Sequence, residues 1–144
     1  MKKTECGICG ADALLVSEQR DVRVGTRSAV VEDEFFRCVV CGEELYEPGQ
    51  MDAAMTRASD AIRARLGLLT PREIKALRES LELSQASFER LLGVGEKTVV
   101  RWEKGTVFQN QATDALLRVL RDVSGVGEFL SARTDVPVPV PEQH

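Results

Sequence analysis

Four cysteines carry the clearest chemistry in this sequence. They stand as Cys6-Gly7-Ile8-Cys9-Gly10 and Cys38-Val39-Val40-Cys41-Gly42, two CxxCG pairs with 28 residues between them. Two intervening residues let one tight turn present both sulfurs of a pair to a common ion. The glycine after each second cysteine permits positive φ and lets backbone N–H groups approach the thiolates. Four sulfurs in tetrahedral array suit Zn²⁺ at Zn–S distances of about 2.3 Å. A CxxC pair can also serve as a redox couple, but that chemistry needs one pair in a thioredoxin-like βαβ setting, and no such pattern is visible. A Cys₄ site is closed, with no open position for substrate, so the metal is expected to be structural.

The elements that must bring the two pairs together follow from the residues between them. Their 28-residue separation exceeds the roughly 15 to 20 of a short ribbon and leaves room for a β-hairpin or three-stranded meander. Leu14, Val16, Val22, Val24, Val30 and Phe36 alternate with polar neighbours, and Gly25 offers a turn. Few large apolar residues precede position 50, so the metal is expected to supply much of this unit's folding free energy.

Charge is uneven along the chain. Residues 1–55 hold 6 Lys+Arg against 11 Asp+Glu, residues 56–104 hold 10 against 7, and residues 105–144 hold 3 against 5, within an overall net of −4. No global polycation is available to grip nucleic acid, so a DNA-binding surface must be local. The start of the chain lacks an apolar signal-peptide core, and no run approaches 18 apolar residues. These features predict a cytoplasmic protein with no membrane partner, in which free thiols serve as ligands rather than disulfides.

Helices are marked out after position 50. Met51, Ala54, Met55, Ala58 and Ile62 form a stripe on a connecting helix over 51–65, with Pro48-Gly49 before it and Gly67 after it, suited to a core or a dimer contact. Thr70-Pro71-Arg72-Glu73 is a capping box with proline at the first helical position. It opens a helix whose apolar face is Ile74, Leu77 and Leu81. Ser84 caps a second helix, Gln85 to Leu92, with Phe88, Leu91 and Leu92 inward. Gly93-Val94-Gly95 turns the chain into a third, roughly Glu96 to Lys104, which buries Val99 and Trp102 and closes at Gly105. Two short helices joined by a glycine-containing turn form a helix-turn-helix. A last helix, about Gln111 to Val123, adds Leu116, Leu117, Leu120 and Val123.

Leu83-Ser84-Gln85 followed by the gapless stretch Leu91 to Gly105 resembles the Xre/Cro-type helix-turn-helix. Two CxxCG knuckles ahead of it, over residues 6 to about 123, resemble the MqsA-type antitoxins with a YgiT-type zinc finger. The resemblance implies a zinc unit that holds a toxin, an mRNA-cleaving ribonuclease, and a C-terminal unit that dimerises on a palindromic operator of double-stranded DNA. It further implies transcriptional repression by the antitoxin of a type II toxin-antitoxin system. Family members read bases with an asparagine and an arginine one helical turn apart. Here Lys97 stands at the first position and Arg101 at the second, so the operator should differ. Some relatives carry a further large C-terminal domain, whereas this chain ends in Val136-Pro137-Val138-Pro139-Val140-Pro141 before His144, read as extended or disordered.

Major-groove reading falls to exposed side chains early on the second helix of the motif, which selects Lys97, Thr98 and Arg101, Arg101 having a fork that fits guanine O6 and N7. Gln85 is expected at a phosphate or bracing a base-reading residue, with Ser84 and Lys104 as further phosphate contacts. Lys97 and Lys104 also suit an ordinary solvated surface. Glu43, Glu44 and Glu47 beside the second knuckle read as an acidic face complementary to a basic nuclease. No nucleophile, paired catalytic carboxylate or phosphate loop stands out, which argues against an enzyme. The fold expected is α+β: a small N-terminal zinc-binding β unit followed by an all-α five-helix helix-turn-helix domain. Its boundaries are 1–50 for the Cys₄ unit, 51–69 for the connecting helix and linker, 70–130 for the DNA-binding domain and 131–144 for a proline-rich disordered tail. The alternative function is a free-standing zinc-ribbon helix-turn-helix regulator without a toxin.

Overall fold

The computed structural model describes residues 2–139. It is α+β, with a four-stranded antiparallel sheet followed by six helices. Two units divide the chain, Met1–Leu66 and Gly67 onward.

The sheet runs in the order β1 (Lys3–Glu5), β2 (Asp12–Val24), β3 (Arg27–Cys38) and β4 (Glu44–Leu45). Val24 pairs with Arg27, so the hairpin between the knuckles closes in two residues, and Gly25 takes the positive φ of 63° that so tight a turn demands. At the other end Ala13 pairs with Cys38, Glu5 with Asp12 and Arg37 with Glu44. Both cysteine pairs are therefore turns at one end of the sheet. The 13 residues of β2, at about 3.4 Å each, put the Gly25 turn roughly 40 Å away.

Strand alternation sorts the side chains onto two faces. On one, Val24, Ala29, Asp33 and Phe35 are buried; on the other, burial is confined to Ala13, Phe36 and Cys38 beside the knuckles. Helix α1 (Gln50–Leu66) lies against β2 and β3 with Ala54, Ala58 and Ile62 buried. The alanines let its backbone come close to the sheet. Met51 and Met55, expected on the same stripe, remain 55% and 40% exposed, so the buried face is narrower than the spacing predicts. The segment read as a connection over 51–69 thus contributes its helix to the first unit, with Arg57 and Arg65 donating to the Glu32 and Ser28 carbonyls.

The second unit contains α2 (Pro71–Ser80), α3 (Gln85–Leu92), α4 (Thr98–Lys104), α5 (Gln111–Asp122) and α6 (Val126–Thr134). The capping box at Thr70 forms as the sequence predicts, Ser84 caps α3, and Gly93 and Gly105 close α3 and α4 in the left-handed conformation. The core gathers Leu69, Ile74, Leu77, Leu83, Phe88, Leu91, Val99, Trp102, Leu117 and Leu120. Val123, expected inside, is the C-cap of α5 and 52% exposed.

Six helices stand where five were expected, and the one not foreseen is α6. It corrects the reading of 131–144 as a disordered tail. Residues 131–134 are helical, and Val136 is 1% exposed within the core while Ser131 Oγ donates to its carbonyl. A valine between polar and proline neighbours supplies enough apolar surface to dock the irregular segment that follows α6. Residues 140–144 of that tail, including His144, lie outside the described residues.

Candidate metal centre and nucleic-acid interface

The two cysteine turns repeat one geometry. Cys6 N–H donates to the Ala11 carbonyl and Gly10 N–H to the Cys6 carbonyl; Cys38 N–H donates to Glu43 and Gly42 N–H to Cys38. Gly10 and Gly42 adopt φ of 77° and 75°, a conformation a Cβ would strain, which is why glycine follows each second cysteine. These turns aim all four sulfurs inward, within 4.8 Å of one another. Cys6 Sγ lies 3.6 Å from Cys41 Sγ, and Cys9 Sγ lies 3.4 Å from Cys38 Sγ. Such separations are far longer than a disulfide of about 2.05 Å. They approach the edge of about 3.8 Å that a tetrahedron with 2.3 Å metal–sulfur bonds would have. The donor set therefore fits a metal ion.

Backbone amides prepare the sulfurs for this role. Ile8 N–H points at Cys6 Sγ, and the Val40 and Cys41 N–H groups at Cys38 Sγ, each at 3.4 Å. The Cys41 and Val40 amides hold the Cys38 thiol down at about 6, and those of Cys9 and Ile8 lower Cys6. The Glu43 amide draws Cys41 the same way, but desolvation and the neighbouring sulfurs prevail and push it up to about 12. Two thiols lowered, Cys6 and Cys38, beside two raised, Cys9 and Cys41, form a cluster in which a dication would displace protons.

The acidic face beside the second knuckle is smaller than expected. Glu44 accepts from Arg20 at 2.6 Å and from Arg37 at 2.7 Å, and Glu18 pairs with the same two arginines at 3.2 and 2.9 Å. Arg20, Arg37 and Arg20's stacking 4.0 Å over the Phe35 ring make this patch a closed charge network. Its guanidinium neighbours hold the Glu44 carboxyl at about 2. Glu43 and Glu47 remain exposed.

In the second unit, the candidate DNA residues fall on α3 and α4. Ser84, Gln85 and Lys97 line one groove, together with Ala86, Glu89, Glu96 and Val100. Ser84 Oγ accepts from Ser87 N–H at 3.1 Å, so its hydroxyl is committed to capping. Gln85 Nε2 donates to Glu103 Oε1 at 3.2 Å, which braces Gln85 against α4. Lys97 is the residue before α4, at φ 66°, and Thr98 begins the helix, a start two residues later than the spacing predicts because Lys97 turns left-handed. Arg101 and Lys104 follow at helical spacing on the exposed side. Among the described residues, Lys97, Arg101 and Lys104 make no ion pair.

The residues that hold this motif together escaped sequence reasoning. Glu103 receives Arg78 Nε at 2.7 Å and Arg78 Nη2 at 3.0 Å, while Arg78 Nη1 reaches the Leu83 carbonyl at 2.9 Å. One half-buried arginine thereby locks α2, the turn before α3 and α4. Buried Asp114 accepts from Leu69 N–H, Gln109 and Arg118 at 2.8, 3.0 and 2.8 Å, fastening the segment before α2 to α5. Burial raises its carboxyl, but the Leu69 amide, Arg118 and Gln109 together hold it below the usual range. Partners 25 and 45 residues apart leave no local signal. Glu89 did leave one, a carboxylate adjoining Phe88 on the inner side of α3, and it is buried there.

Among curated proteins, none matches the chain. The family model described as the antitoxin component of a bacterial toxin-antitoxin system, MqsA, matches residues 4–128. That span includes both cysteine turns and helices α1 to α5, and the chain belongs to the MqsA antitoxin family.

Proposed function

We propose that this antitoxin is also a sequence-specific transcriptional repressor, carrying one structural Zn²⁺ on Cys6, Cys9, Cys38 and Cys41. Its first unit holds a toxin of the mRNA-cleaving class. The observation that carries the DNA reading is the row of exposed cations Lys97, Arg101 and Lys104, without an ion pair among the described residues, at the start and along one side of a short helix whose Glu103 is held by Arg78 and Gln85. Arg101 reads a guanine edge, Lys97 and Thr98 read neighbouring positions, and Ser84, Gln85 and Lys104 serve the backbone. One seven-residue helix covers a single half-site, so a homodimer on a palindrome is required. Val119, Val123 and Phe129, all exposed, offer apolar surface in the second unit for that contact. The reading assigns no catalysis to the chain and places it in the cytoplasm; among the described residues no helix is long and apolar enough to cross a membrane.

The test is gel-shift titration of the full chain against promoter DNA of its own operon, paired with co-purification of the neighbouring gene product. Specific DNA binding with a bound toxin supports the proposal. Specific binding without a toxin would select the second reading, a free-standing regulator. The neutralisation of Glu44 by Arg20 and Arg37 favours that alternative, because it removes a charge expected to meet a basic nuclease.

A further inference from the structure

Helix α4 starts without a cap of its own. Lys97 precedes it in the left-handed conformation and makes no side-chain capping bond. Three other helices of the unit are capped from within: Thr70 serves Glu73 N–H at 3.1 Å, Ser84 serves Ser87 at 3.1 Å, and Asn110 serves Thr113 at 2.8 Å. At α4 the acceptor comes from another helix. Glu89 Oε2, on α3, receives the Val99 N–H at 3.0 Å. Both residues are buried, Glu89 at 6% and Val99 at 0% exposure, so water is a poor substitute acceptor for that amide.

From this geometry we infer that Glu89 is a positioning residue for DNA reading, one that sets the aim of Lys97, Thr98 and Arg101 by fastening the first turn of α4 to α3. The inference rests on the reading of α4 as the base-contacting helix. A carboxylate at a helix N-terminus is electrostatically favoured, and this one also ties α3 to the first turn of α4 across the five residues, 93–97, that join them, at the opposite end of α4 from the Gln85–Glu103 bond. Lys97 and Thr98 immediately precede the fastened Val99 amide, so a shift of this turn moves them first. Base-edge hydrogen bonds tolerate little displacement, whereas phosphate attraction acts over a Debye length. Loss of the tie should therefore reduce specific binding and spare non-specific binding. Removing a negative charge beside the DNA face should even strengthen the latter.

The experiment compares full-length wild type with Glu89→Ala, Glu89→Asp, Glu89→Gln and Arg101→Ala. The probes are a duplex selected from random DNA by the wild-type chain and a scrambled duplex of the same composition. Amide hydrogen exchange at Val99 is followed in parallel. Glu89→Asp keeps the charge but lacks the reach, and Glu89→Gln keeps the reach and an acceptor oxygen. The Ala and Asp variants are expected to lose about tenfold in the selected-to-scrambled affinity ratio, the size of one hydrogen bond. Their Val99 amides should exchange faster, while Gln stays within about threefold of wild type on both measures. If Glu89→Ala fails to fold, the contrast between Asp and Gln decides. A ratio unchanged in the Asp variant while Arg101→Ala loses it, or a Gln variant as impaired as Asp, overturns the inference. Failure to select any duplex, or an undiminished ratio in Arg101→Ala, overturns the α4 reading itself and this inference with it, whatever Val99 exchange shows.

Discussion

The two units keep their shapes by different means. Around the cysteine turns the buried apolar side chains amount to Ala13 and Phe36, with Ala11, Leu15 and Leu45 partly buried against them. The helical unit buries eleven residues in one cluster, among them Phe88, Trp102 and three helices' worth of leucines, and tightens it with Arg78–Glu103 and Asp114. A cluster as small as the first has little burial energy to set against the entropy of ordering its turns. Four convergent sulfurs make up that deficit only when something holds them together. The cysteine end of the first unit is therefore expected to depend on a bound metal, whereas the second unit rests on contacts the chain provides for itself.

Withdrawal of the metal is the severest way to break this contrast. Chelation, or Cys38→Ala, is expected to abolish order in the first unit while the helices of the second persist. Amide exchange read separately over residues 2–66 and 67–139 checks it, and a first unit still protected without metal would mean that α1 on the sheet suffices. Next in size is Glu103→Ala. It strands the Arg78 guanidinium, 13% exposed, and should destabilise the second unit by about 3–5 kcal/mol, visible in its thermal melt alone.

Arg101→Ala should leave both melts in place and cost about 1–3 kcal/mol per half-site in operator binding, with relaxed preference at one base pair. Toxin capture by the same variant should be intact, since Arg101 belongs to the other unit; a combined loss would erase the division of labour. The smallest effect is acid sensitivity. The lowered Asp114 carboxyl contributes stability that is complete above its unfolded value of about 3.9 and vanishes as pH falls through the lower folded one. Asp114→Asn should therefore flatten the second unit's melting temperature below about pH 4, a slope measurable by pH-stepped calorimetry.

Local signals explain which parts of this molecule were legible beforehand. CxxCG spacing announced the sulfur cluster, Thr70 to Glu73 and Ser84 announced two helix starts to the residue, and Gly25 announced the hairpin turn. Those devices act over four residues or fewer. Long-range partnerships were illegible for the opposite reason: Arg78 with Glu103, Leu69 with Asp114, and α1 with the sheet depend on how distant segments meet. Helix α6 was missed because Val126 to Thr134 begins at a glycine cap without a side-chain bond and buries none of its own residues. Of the site residues, the cysteines were readable as a set. The face of α4 was readable in outline and the left-handed Lys97 was not, while Glu89 was readable as a carboxylate on the inner side of α3 but not as the acceptor for the Val99 amide.

Val136 has a consequence for how long the helical unit survives in a cell. A side chain of the core sits past α6, on an irregular segment that follows Thr134 and Asp135. A protease that nicked the chain after exposed Arg133 would carry that valine away with the severed end and open a void in the core cluster to which it belongs. Turnover of the helical unit is in this way geared to a site far along the chain from α4, and a single clip there would shorten that unit's lifetime without touching Arg101.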